Sequence, residues 1–406
     1  MILFEKISIF LLSLSMLFPS FLNIYDEDFL QLSYSQQQLQ EQQQQQQNDV
    51  NAFTVKNLSN NERDSTYPQT ESAGNNVYMV WQDNMFGHNR MNYDILLKTS
   101  TDGGQTFGEV VNLSNNSGFS EHPQIAVNDT NIYIVWADNT SLNRDIYFIS
   151  SNDGGQTFGD VINLSDNAGK SSFPKISSFE DSVYITWNID REDKSISLNN
   201  DGNEEGNSNS NSNIASEGIY FIKSTDGGNS FGKEMSLTTD EEPGEAQIAA
   251  NGNNVYIIWG SPDPSTVNQI DDEPGNDAGS KGNLAGSGDG IYFVKSTDNG
   301  NSFLKPQFIK EDFKNPLNVE IIENAGQLII AIQATPINNT IEGNQEIFLI
   351  NSQDQGNTFS DATNISNNGG ISECPSMTIP SDNSLFLVWQ DRSPGNNEVF
   401  STKIDL

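Results

Sequence analysis

The sequence contains a single cysteine, Cys374, and this excludes any intrachain disulfide bond. A folded domain in this chain must therefore be stabilised by packing. We interpret Cys374 as a small buried hydrophobe in an inner strand, because a nucleophilic thiol needs a neighbouring base. The chain offers only two histidines for that role, His88 and His122.

Basic residues are also scarce. The chain has 19 Lys and Arg against 55 Asp and Glu, which gives a formal net charge of -36. Nucleic acids and anionic membranes attract proteins through basic surfaces, so this balance excludes both as partners. It favours a protein that is soluble outside the cell and that binds cations weakly.

The one long apolar run lies at the N-terminus, between Ile7 and Leu22. Because it is shorter than the roughly 20 residues of a spanning helix, we predict that residues 1–23 are a cleaved signal peptide. An uncleaved N-terminal anchor is the alternative. The glutamine-rich residues 24–50 that follow cannot bury enough apolar surface to fold, and we predict a disordered spacer.

An octapeptide recurs five times along the rest of the chain. It reads Ser-Thr-Asp-Gly-Gly-Gln-Thr-Phe from Ser100 to Phe107, with close variants later. Its aspartates are Asp102, Asp153, Asp226, Asp298 and Asp354. Asp accepts hydrogen bonds from nearby backbone N–H groups and Gly adopts positive φ, so each copy predicts a tight turn whose closing Phe enters a core.

This octapeptide resembles the Asp box, or BNR repeat, of sialidases and many other propeller proteins. In that family the box forms a turn between the two outer strands of a blade. The resemblance therefore implies a structural role for the five aspartates and a sialidase-like propeller for the chain.

A second repeated segment gives the number of blades. Apolar strands that mostly end in Trp begin at Val77, Ile132, Val183, Val255, Leu328 and Leu385. With four short strand-like segments per repeat, we predict an all-β fold over residues 51–406, a six-bladed β-propeller of four-stranded antiparallel blades. Long insertions occur near residues 189–217 and 261–289, on the face opposite the Asp boxes.

The last repeat ends after three strands, whereas the repeats begin with a lone outer-strand sequence, Phe53 to Leu58. We predict that this N-terminal strand pairs with the last blade. Such pairing closes the ring and removes the open sheet edge.

The resemblance to sialidases implies a site with three arginines, a tyrosine nucleophile paired with a glutamate, and an aspartate acid/base. The first family arginine precedes an inner strand, in an Arg-Ile-Pro motif. The matching places here hold Tyr67, His122, Phe173 and Cys374, each followed by proline. The chain departs from the sialidase pattern at these places.

Candidate ligand-binding residues follow the second strands or precede the inner strands. They are Arg63, Asp83, Arg90, Glu121, Asp138, Arg144, Arg191, Asp391 and Arg392. We interpret them first as a structural device, in which each Asp of a Trp-x-Asp pattern caps a turn and pairs with the Arg of its own blade. The alternative is a ring of charges at the channel mouth that binds a sugar, a peptide or Ca2+.

These patterns together predict a secreted or cell-surface binding module without catalysis, acting as a monomer on a glycan, a peptide or a surface protein. The alternative function is an exo-sialidase-like glycoside hydrolase working on the insertion face. We predict no cofactor and no metal site. Ca2+ is kept as an alternative ligand of two acidic segments, 200–205 and 271–273, neither of which has EF-hand spacing.

Overall fold

The structure is a computed structural model, and it describes residues 56–86, 92–141, 143–165, 169–190, 218–238, 243–261, 290–309, 313–337, 344–379, 384–395 and 398–406. The chain divides into two units, Met1–Asn60 and Asn61–Leu406. In the first unit the described residues form a turn, in which the side-chain oxygen of Asn57 accepts the N–H of Asn60 at 2.9 Å. The second unit contains the repeats.

The second unit consists of β-strands arranged in six antiparallel sheets, which are its blades. Blades 1 to 3 contain β1 (Ser65–Ala73), β2 (Asn76–Asp83), β3 (Asp94–Ser100), β4 (Val111–Asn112), β5 (Ser120–Asn128), β6 (Asn131–Asp138), β7 (Asp145–Ser151), β8 (Ile162–Asn163), β9 (Lys170–Phe179), β10 (Ser182–Asp190), β11 (Gly218–Ser224) and β12 (Met235–Ser236). Blades 4 to 6 contain β13 (Gln247–Asn251), β14 (Asn254–Ser261), β15 (Gly290–Ser296), β16 (Gln307–Ile309), β17 (Phe313–Asn324), β18 (Gln327–Pro336), β19 (Glu346–Ser352), β20 (Thr363–Asn364), β21 (Ser372–Thr378), β22 (Ser384–Asp391) and β23 (Glu398–Asp405).

Blades 1 to 5 are each a meander of an inner, a second, a third and an outer strand in chain order, and the described part of blade 6 has the first three. The inner strands of successive blades, from β1 and β5 to β17 and β21, contact one another around the central channel. The outer strands are only two or three residues long. The six-bladed, all-β propeller predicted from the repeats is therefore confirmed. In the described part of the chain no helix is long and apolar enough to cross a membrane.

The second strands of blades 2 to 5 are buried on both faces because each of these blades is packed between two others. In β6, every residue from Ile132 to Asp138 is buried. Five apolar clusters form the core, and each lies between adjacent blades. The near-continuous apolar runs of the second strands follow from this two-sided burial.

Ring closure depends on residues that the structure does not describe. Five blades have four strands, and the sixth, β21-β22-β23, has three among the described residues. Phe53 to Val55 of the predicted closing strand lie outside these residues, as do residues 1–50 and the insertions at 191–217 and 262–289. Closure by the N-terminal strand stays a prediction.

The five octapeptides form turns between the third and outer strands of blades 1 to 5. In the second copy, Asp153 accepts the backbone N–H of Thr157 at 2.9 Å and its hydroxyl at 2.6 Å. The hydroxyl of Ser151 donates to the same carboxylate at 2.8 Å. These donors stabilise the ionised form, so the pKa of Asp153 falls from 3.8 to about 2.

The two central positions of the octapeptide differ in their tolerance, and the structure gives the reason. Both have positive φ, but the first is held by Gly in three copies, by Asn299 (φ 61°) in the fourth and by Gln355 (φ 60°) in the fifth. A Cβ at the second position would approach the preceding blade in the later copies, and at Gly356 it would lie 2.4 Å from the ring of Phe293. At Gly104 in the first copy a Cβ meets nothing within 4 Å, so there only the positive φ of 82° favours glycine.

The closing Phe of the octapeptide joins two blades. Phe231, from the turn of blade 3, packs edge-on against Phe148 of blade 2 with ring centroids 4.9 Å apart. Phe303 packs in the same way against Phe221 of the preceding blade, also at 4.9 Å. The predicted anchoring of this Phe in a core is confirmed, and that core is the interface between blades.

Candidate functional site

The candidate site lies at the end of the channel opposite the Asp-box turns. At this end each second strand runs into its loop and each inner strand begins, so Thr66 of β1 pairs with Gln82 at the end of β2. The long insertions join second and third strands, and they therefore leave from this same face. We call this end of the channel the mouth.

Most inner strands carry an irregularity near the mouth. The register shifts between Thr66 and Gln69 in β1 and between Glu121 and Gln124 in β5. Four residues within or beside these shifts have positive φ and precede a proline; they are Tyr67 (52°), His122 (54°), Phe173 (50°) and Cys374 (52°). β-Bulges re-aim side chains and are frequent beside functional sites.

Three of these residues form a continuous row of rings, which we call the aromatic row. The rings of Tyr67 and His122 meet edge-on with centroids 4.6 Å apart. The rings of His122 and Phe173 are tilted with centroids 5.0 Å apart. Tyr67 is 54% exposed, and the other two are half-buried. Three successive blades thus present one aromatic surface.

His122 is fixed in the middle of the row. Its backbone N–H donates to the side-chain oxygen of Gln82, on blade 1, at 2.9 Å. Burial lowers the pKa of His122, opposed by the charges of Glu121 and Glu245. The histidine is therefore neutral at pH 7, and its ring behaves as an aromatic side chain with one polar edge.

A cavity of about 440 Å3 occupies the other half of the mouth, and we call it the charged pocket. It is lined by Lys175, Gly244, Glu245, Gln247, Gly260, Pro316, Leu317, Asn318, Val319, Glu320, Cys374 and Pro375. These residues come from blades 3, 4, 5 and 6. The ammonium of Lys175 lies 3.8 Å from the carboxylate of Glu245.

Glu320 has the most perturbed carboxyl group of the pocket. Burial raises its pKa to about 7, against the opposing effects of the Met377 N–H and the charge of Lys175. That N–H donates to Glu320 Oε2 at 3.0 Å. A carboxyl that titrates near neutral pH inside a cleft can act as a general acid or as a cation ligand.

Cys374 does not have the predicted environment. We expected a small buried hydrophobe, but the thiol is exposed and lines the charged pocket. Its positive φ and the register shift in β21 turn the side chain away from the blade interior. Partial burial and the charge of Glu373 raise the pKa of the thiol, so it is not an activated nucleophile.

Two ion pairs lie beside the mouth, and we call them the rim pairs. Arg144 contacts Glu121 with an N···O distance of 3.2 Å. Arg392 contacts Glu373 at 3.0 Å. We expected each arginine to pair with the Trp-x-Asp aspartate of its blade. For Arg144 and Arg392 that pairing was wrong, because the partner is a glutamate of the inner strand, next to His122 or Cys374.

The Trp-x-Asp aspartates are buried hydrogen-bond centres. Asp138 accepts the indole N–H of Trp136 at 3.2 Å and the hydroxyl of Ser120 at 2.6 Å. It also accepts the side-chain amide of Asn116 at 2.7 Å and the backbone N–H of Thr140 at 2.8 Å. Asp83 and Asp391 have the same kinds of donor. The predicted turn-capping role is what these contacts provide.

Asp391 shows the electrostatic effect of such a centre. Its burial would raise the pKa of the carboxyl. The hydrogen bonds from Ser393, Trp389 and Asn368 outweigh burial and hold the pKa of Asp391 well below its ordinary value. The carboxylate is therefore ionised, enclosed and fully engaged with its own blade.

The remaining candidates do not converge on one point. Arg63 is exposed in the segment before β1, where its N–H donates to Asn61 at 2.7 Å. Arg90 and Arg191 lie outside the described residues. The Asp-box aspartates lie at the opposite end of the channel, in the turns described above.

Sequence reasoning missed the residues that the mouth brings together. Tyr67, Phe173, Lys175, Glu245 and Glu320 were not among the candidates. One signal was available, because three successive repeats place an aromatic residue directly before the inner-strand proline. No comparable signal marks Glu245 or Glu320, which come from different blades and differ in their sequence surroundings.

The described residues contain no group of three or more His, Cys, Asp or Glu side chains that could hold a metal ion. The two acidic segments considered for Ca2+, at 200–205 and 271–273, lie outside the described residues.

No protein-family model and no curated protein sequence matches the chain. Among solved structures, the NanB sialidase of Streptococcus pneumoniae matches with a TM-score of 0.50 and 9% identity, covering 87% of this chain and 70% of that one. A Trypanosoma rangeli sialidase matches with a TM-score of 0.48 and 11% identity, over 83% of this chain and 54% of that one. The match with the GH93 alpha-L-arabinofuranosidase of Fusarium graminearum has a TM-score of 0.49 and 14% identity, over 84% of this chain and 93% of that one.

The matched region spans about half, 54%, of the length of the trypanosomal enzyme. These structures are six-bladed propellers. In fold, the chain is thus similar to the sialidase type of six-bladed propeller, as its repeats indicated. At these identities the likeness concerns the fold alone.

Proposed function

We propose that this chain is a secreted or cell-surface binding module and that its ligand, a carbohydrate, binds on the aromatic row. One observation carries the proposal: Tyr67, His122 and Phe173, from three successive blades, form a single surface at the mouth, with centroid separations of 4.6 and 5.0 Å. Other aromatic contacts, such as that of Phe148 with Phe231, lie in the interfaces between blades, where a ligand has no access.

Backbone strain supports a binding role for the row. Positive φ is unfavourable for residues with a side chain, and costs on the order of 1–3 kcal/mol per residue when it is not glycine. All three residues of the row have φ between 50° and 54°. Strain of this kind clusters at ligand sites, because the surrounding structure must impose it.

The chemistry of the row suits a sugar ring. Sugars have one apolar face of C–H groups, which packs on an aromatic ring, and a rim of hydroxyl groups that needs hydrogen-bond partners. The rim pair of Arg144 and Glu121 offers both donors and acceptors beside His122. Arg144 is 39% exposed in its side chain, so its remaining N–H groups are open to a ligand.

Export is part of the proposal. It is supported by the apolar run between Ile7 and Leu22 and by the formal net charge of -36. Cell fractionation combined with N-terminal sequencing of the mature protein tests it. A protein that retains Met1 and stays inside the cell contradicts export, and one that retains Met1 at the surface indicates the anchor instead of the signal peptide.

A glycoside hydrolase working at the mouth is the second candidate. One observation favours it: Glu320, whose pKa is raised to about 7, shares the charged pocket with Glu245. Such a pair of carboxyl groups can divide the roles of acid and base in glycoside hydrolysis. The sialidase mechanism itself lacks support, because no arginine of the described residues lines this pocket.

A glycan array probed with the full-length exported protein tests the binding proposal. We expect binding to a defined class of glycans, and we expect Tyr67→Ala or Phe173→Ala to abolish it. Phe386→Ala is the matched control, because Phe386 is an exposed aromatic residue, at 39%, on a second strand of blade 6. It should leave binding unchanged.

Three results would contradict the proposal. One is an array without any glycan ligand, combined with capture of a peptide or surface protein, which supports the other class of partner. Another is release of a fluorogenic aryl sialoside or arabinofuranoside that is lost in Glu320→Gln, which supports the hydrolase. An unchanged array profile in Tyr67→Ala also removes the row from the site.

A further inference from the structure

The charged pocket has the size of a small-molecule site. Its volume of about 440 Å3 falls within the roughly 300–1,000 Å3 of typical ligand pockets. The proposed glycan surface, the aromatic row, comes from blades 1 to 3, whereas the pocket takes its walls from blades 3 to 6. The two share blade 3, but no residue of the row lines the pocket, so a ligand for the pocket goes beyond the glycan binding proposed for the row.

The backbone is closely packed in the wall of the pocket where blades 4 and 5 meet. The backbone N–H of Gly244 donates to the carbonyl of Gly260 at 3.0 Å. A Cβ on Gly260 would lie 2.6 Å from the carbonyl oxygen of Pro316, so glycine is required for this approach. With Leu317 and Pro375, these residues give the pocket a partly apolar wall.

Three charged side chains face the cavity, two acidic and one basic. Lys175 and Glu245 approach to 3.8 Å, which is longer than a hydrogen bond and leaves both groups available. Glu320 adds a second carboxyl group, whose backbone partner is the N–H of Met377. Carboxylates thus outnumber the single ammonium, and the whole chain carries a formal net charge of -36. The pocket favours a cation.

The acceptors that line the pocket suit an ammonium group. In the part of the chain that the structure describes, no group of three or more potential metal-ligating side chains occurs. Divalent cations need several hard ligands at once, whereas an ammonium needs only two or three acceptors on one side. Glu245, Glu320 and the side-chain oxygen of Gln247 or Asn318 supply acceptors of this kind.

We propose that the charged pocket binds a primary ammonium group, held between the carboxylates of Glu245 and Glu320, while the carbon skeleton of the ligand contacts Leu317 and Pro375. The ammonium can be carried by an amino sugar or by a lysine side chain. Both share the chemistry that the pocket recognises, and they differ in the skeleton that the apolar wall contacts.

Titration of Glu320 links this binding to pH. Lys175 on β9, Glu245 before β13 and Cys374 on β21 line the cavity beside Glu320, and His122 senses the charges of Lys175 and Glu245. Because the pKa of Glu320 is raised to about 7, its carboxyl is largely protonated at pH 6 and ionised at pH 8. An ammonium binds the ionised form, so affinity rises from pH 6 to pH 8 and binding releases protons near pH 7.

Isothermal titration calorimetry on the full-length protein tests the proposal with four probes. These are glucosamine, N-acetylglucosamine, Nα-acetyl-lysine amide and its Nε-acetylated derivative. We expect at least one free amine to bind and its acetylated partner to fail. The preferred amine identifies the source. Equal binding of an amine and its acetylated form, or binding of neither amine, overturns the proposal.

Charge-neutralising variants assign the site. Glu320→Gln and Glu245→Gln should each weaken amine binding at pH 8 by about tenfold or more, which corresponds to losing one charge-assisted hydrogen bond. Glu320→Gln should also abolish the increase between pH 6 and pH 8. Lys175→Gln should strengthen binding, because it removes a competing ammonium.

Glu71→Gln is the matched control. Glu71 lines a different cavity in the channel, and burial raises the pKa of its carboxyl in the same direction. The Glu71→Gln variant should bind amines with the same affinity as the unmodified protein. Equal weakening in Glu71→Gln and Glu320→Gln would mean that the effect reflects total charge alone, and the pocket would lose its assignment.

Discussion

The indole Nε1 of Trp81 donates a 2.8 Å hydrogen bond to the carboxylate of Asp83, two residues further along β2. Trp136 with Asp138 and Trp389 with Asp391 repeat this contact in blades 2 and 6. In each case the hydrogen bond joins the last core residue of the strand to the aspartate that caps the following turn. The packing of the strand and the conformation of the turn therefore depend on each other in these blades.

Blade 3 lacks the contact, and this predicts a difference in stability. Trp187 is fully buried, but its Nε1 has no acceptor among the described residues, because Ile189 stands where blades 1, 2 and 6 have Asp. Trp81→Phe should lower the free energy of unfolding by about 1–2 kcal/mol more than Trp187→Phe, since only Trp81→Phe leaves a buried carboxylate short of a donor. Urea denaturation of both variants measures it. Equal losses would show that the indole contact adds nothing beyond packing.

Acid should act on the Asp-box turns. The hydrogen bonds from Thr157 and Ser151 lower the pKa of Asp153 to about 2 in the folded state, from an ordinary 3.8. The folded state thus resists protonation that the unfolded state accepts, so the turn contributes stability above pH 4 and loses it as the pH falls towards 2. Thermal unfolding of Asp153→Asn between pH 5 and pH 2 should show a smaller decline in Tm.

Asp160→Asn is the control for this experiment. Asp160 is exposed and lies just beyond the same turn. The Tm of Asp160→Asn should decline with pH as that of the unmodified protein does. A smaller decline in both variants would show that the effect comes from net charge.

The first central position of the octapeptide should accept glycine with a gain in stability. Gln355 has φ 60° and is exposed, so its side chain gains little from packing. Gln355→Gly should raise the free energy of unfolding by about 1 kcal/mol, because only the backbone penalty is removed. Gly103→Gln is the reverse change at a site where a Cβ meets nothing within 4 Å, and it should cost a similar amount. Chemical denaturation of both proteins compares the two changes.

The second central position should be far less tolerant. Gly356→Ala forces a Cβ to within 2.4 Å of the Phe293 ring, whereas Gly104→Ala meets no atom within 4 Å. Both glycines have positive φ, 77° and 82°, so the backbone penalty is shared. We expect Gly356→Ala to be the more destabilising by about 1–3 kcal/mol, the usual cost of overpacking. Similar Tm values for the two variants would show that blades 4 and 5 move apart to accept the added methyl group without loss of stability.

Stability should also fall at mildly alkaline pH because of Glu320. Burial raises the pKa of its carboxyl from 4.5 to about 7, so folding favours the protonated form. This contribution is complete below pH 4.5 and is lost as the pH rises through 7. Glu320→Gln should remove that loss, giving a higher Tm than the unmodified protein at pH 8 and a similar one at pH 5. Differential scanning calorimetry at both values checks the sign.

The repeats made the fold predictable. Five copies of the octapeptide and six copies of the second strand are local sequence signals, and each describes contacts within one blade or with the next. Because every blade repeats the same contacts, counting them gives the architecture. The burial of the second strands and the Ser151 to Asp153 hydrogen bond follow from the same local pattern.

The mouth was harder to predict because it is made of single residues from different blades. The Trp-x-Asp aspartates were interpreted first as turn caps, with a charged ring as the alternative; Asp138 is buried, and its carboxylate accepts hydrogen bonds from donors of its own repeat. Cys374 was expected in a core and lies at the mouth instead, since a register shift and a positive φ reverse its side chain. Neither effect can be inferred from hydrophobic alternation.

The sequence alone determined the number of blades, the order of their strands and the position of the Asp-box turns, because these depend on contacts between residues close in the chain. Only the tertiary structure decided that Tyr67, His122 and Phe173 form one row and that Lys175, Glu245 and Glu320 share one pocket. The positions of these residues in the sequence do not show that their side chains lie close together in space. The packing of successive inner strands around a common channel brings them together, and that packing involves several blades at once.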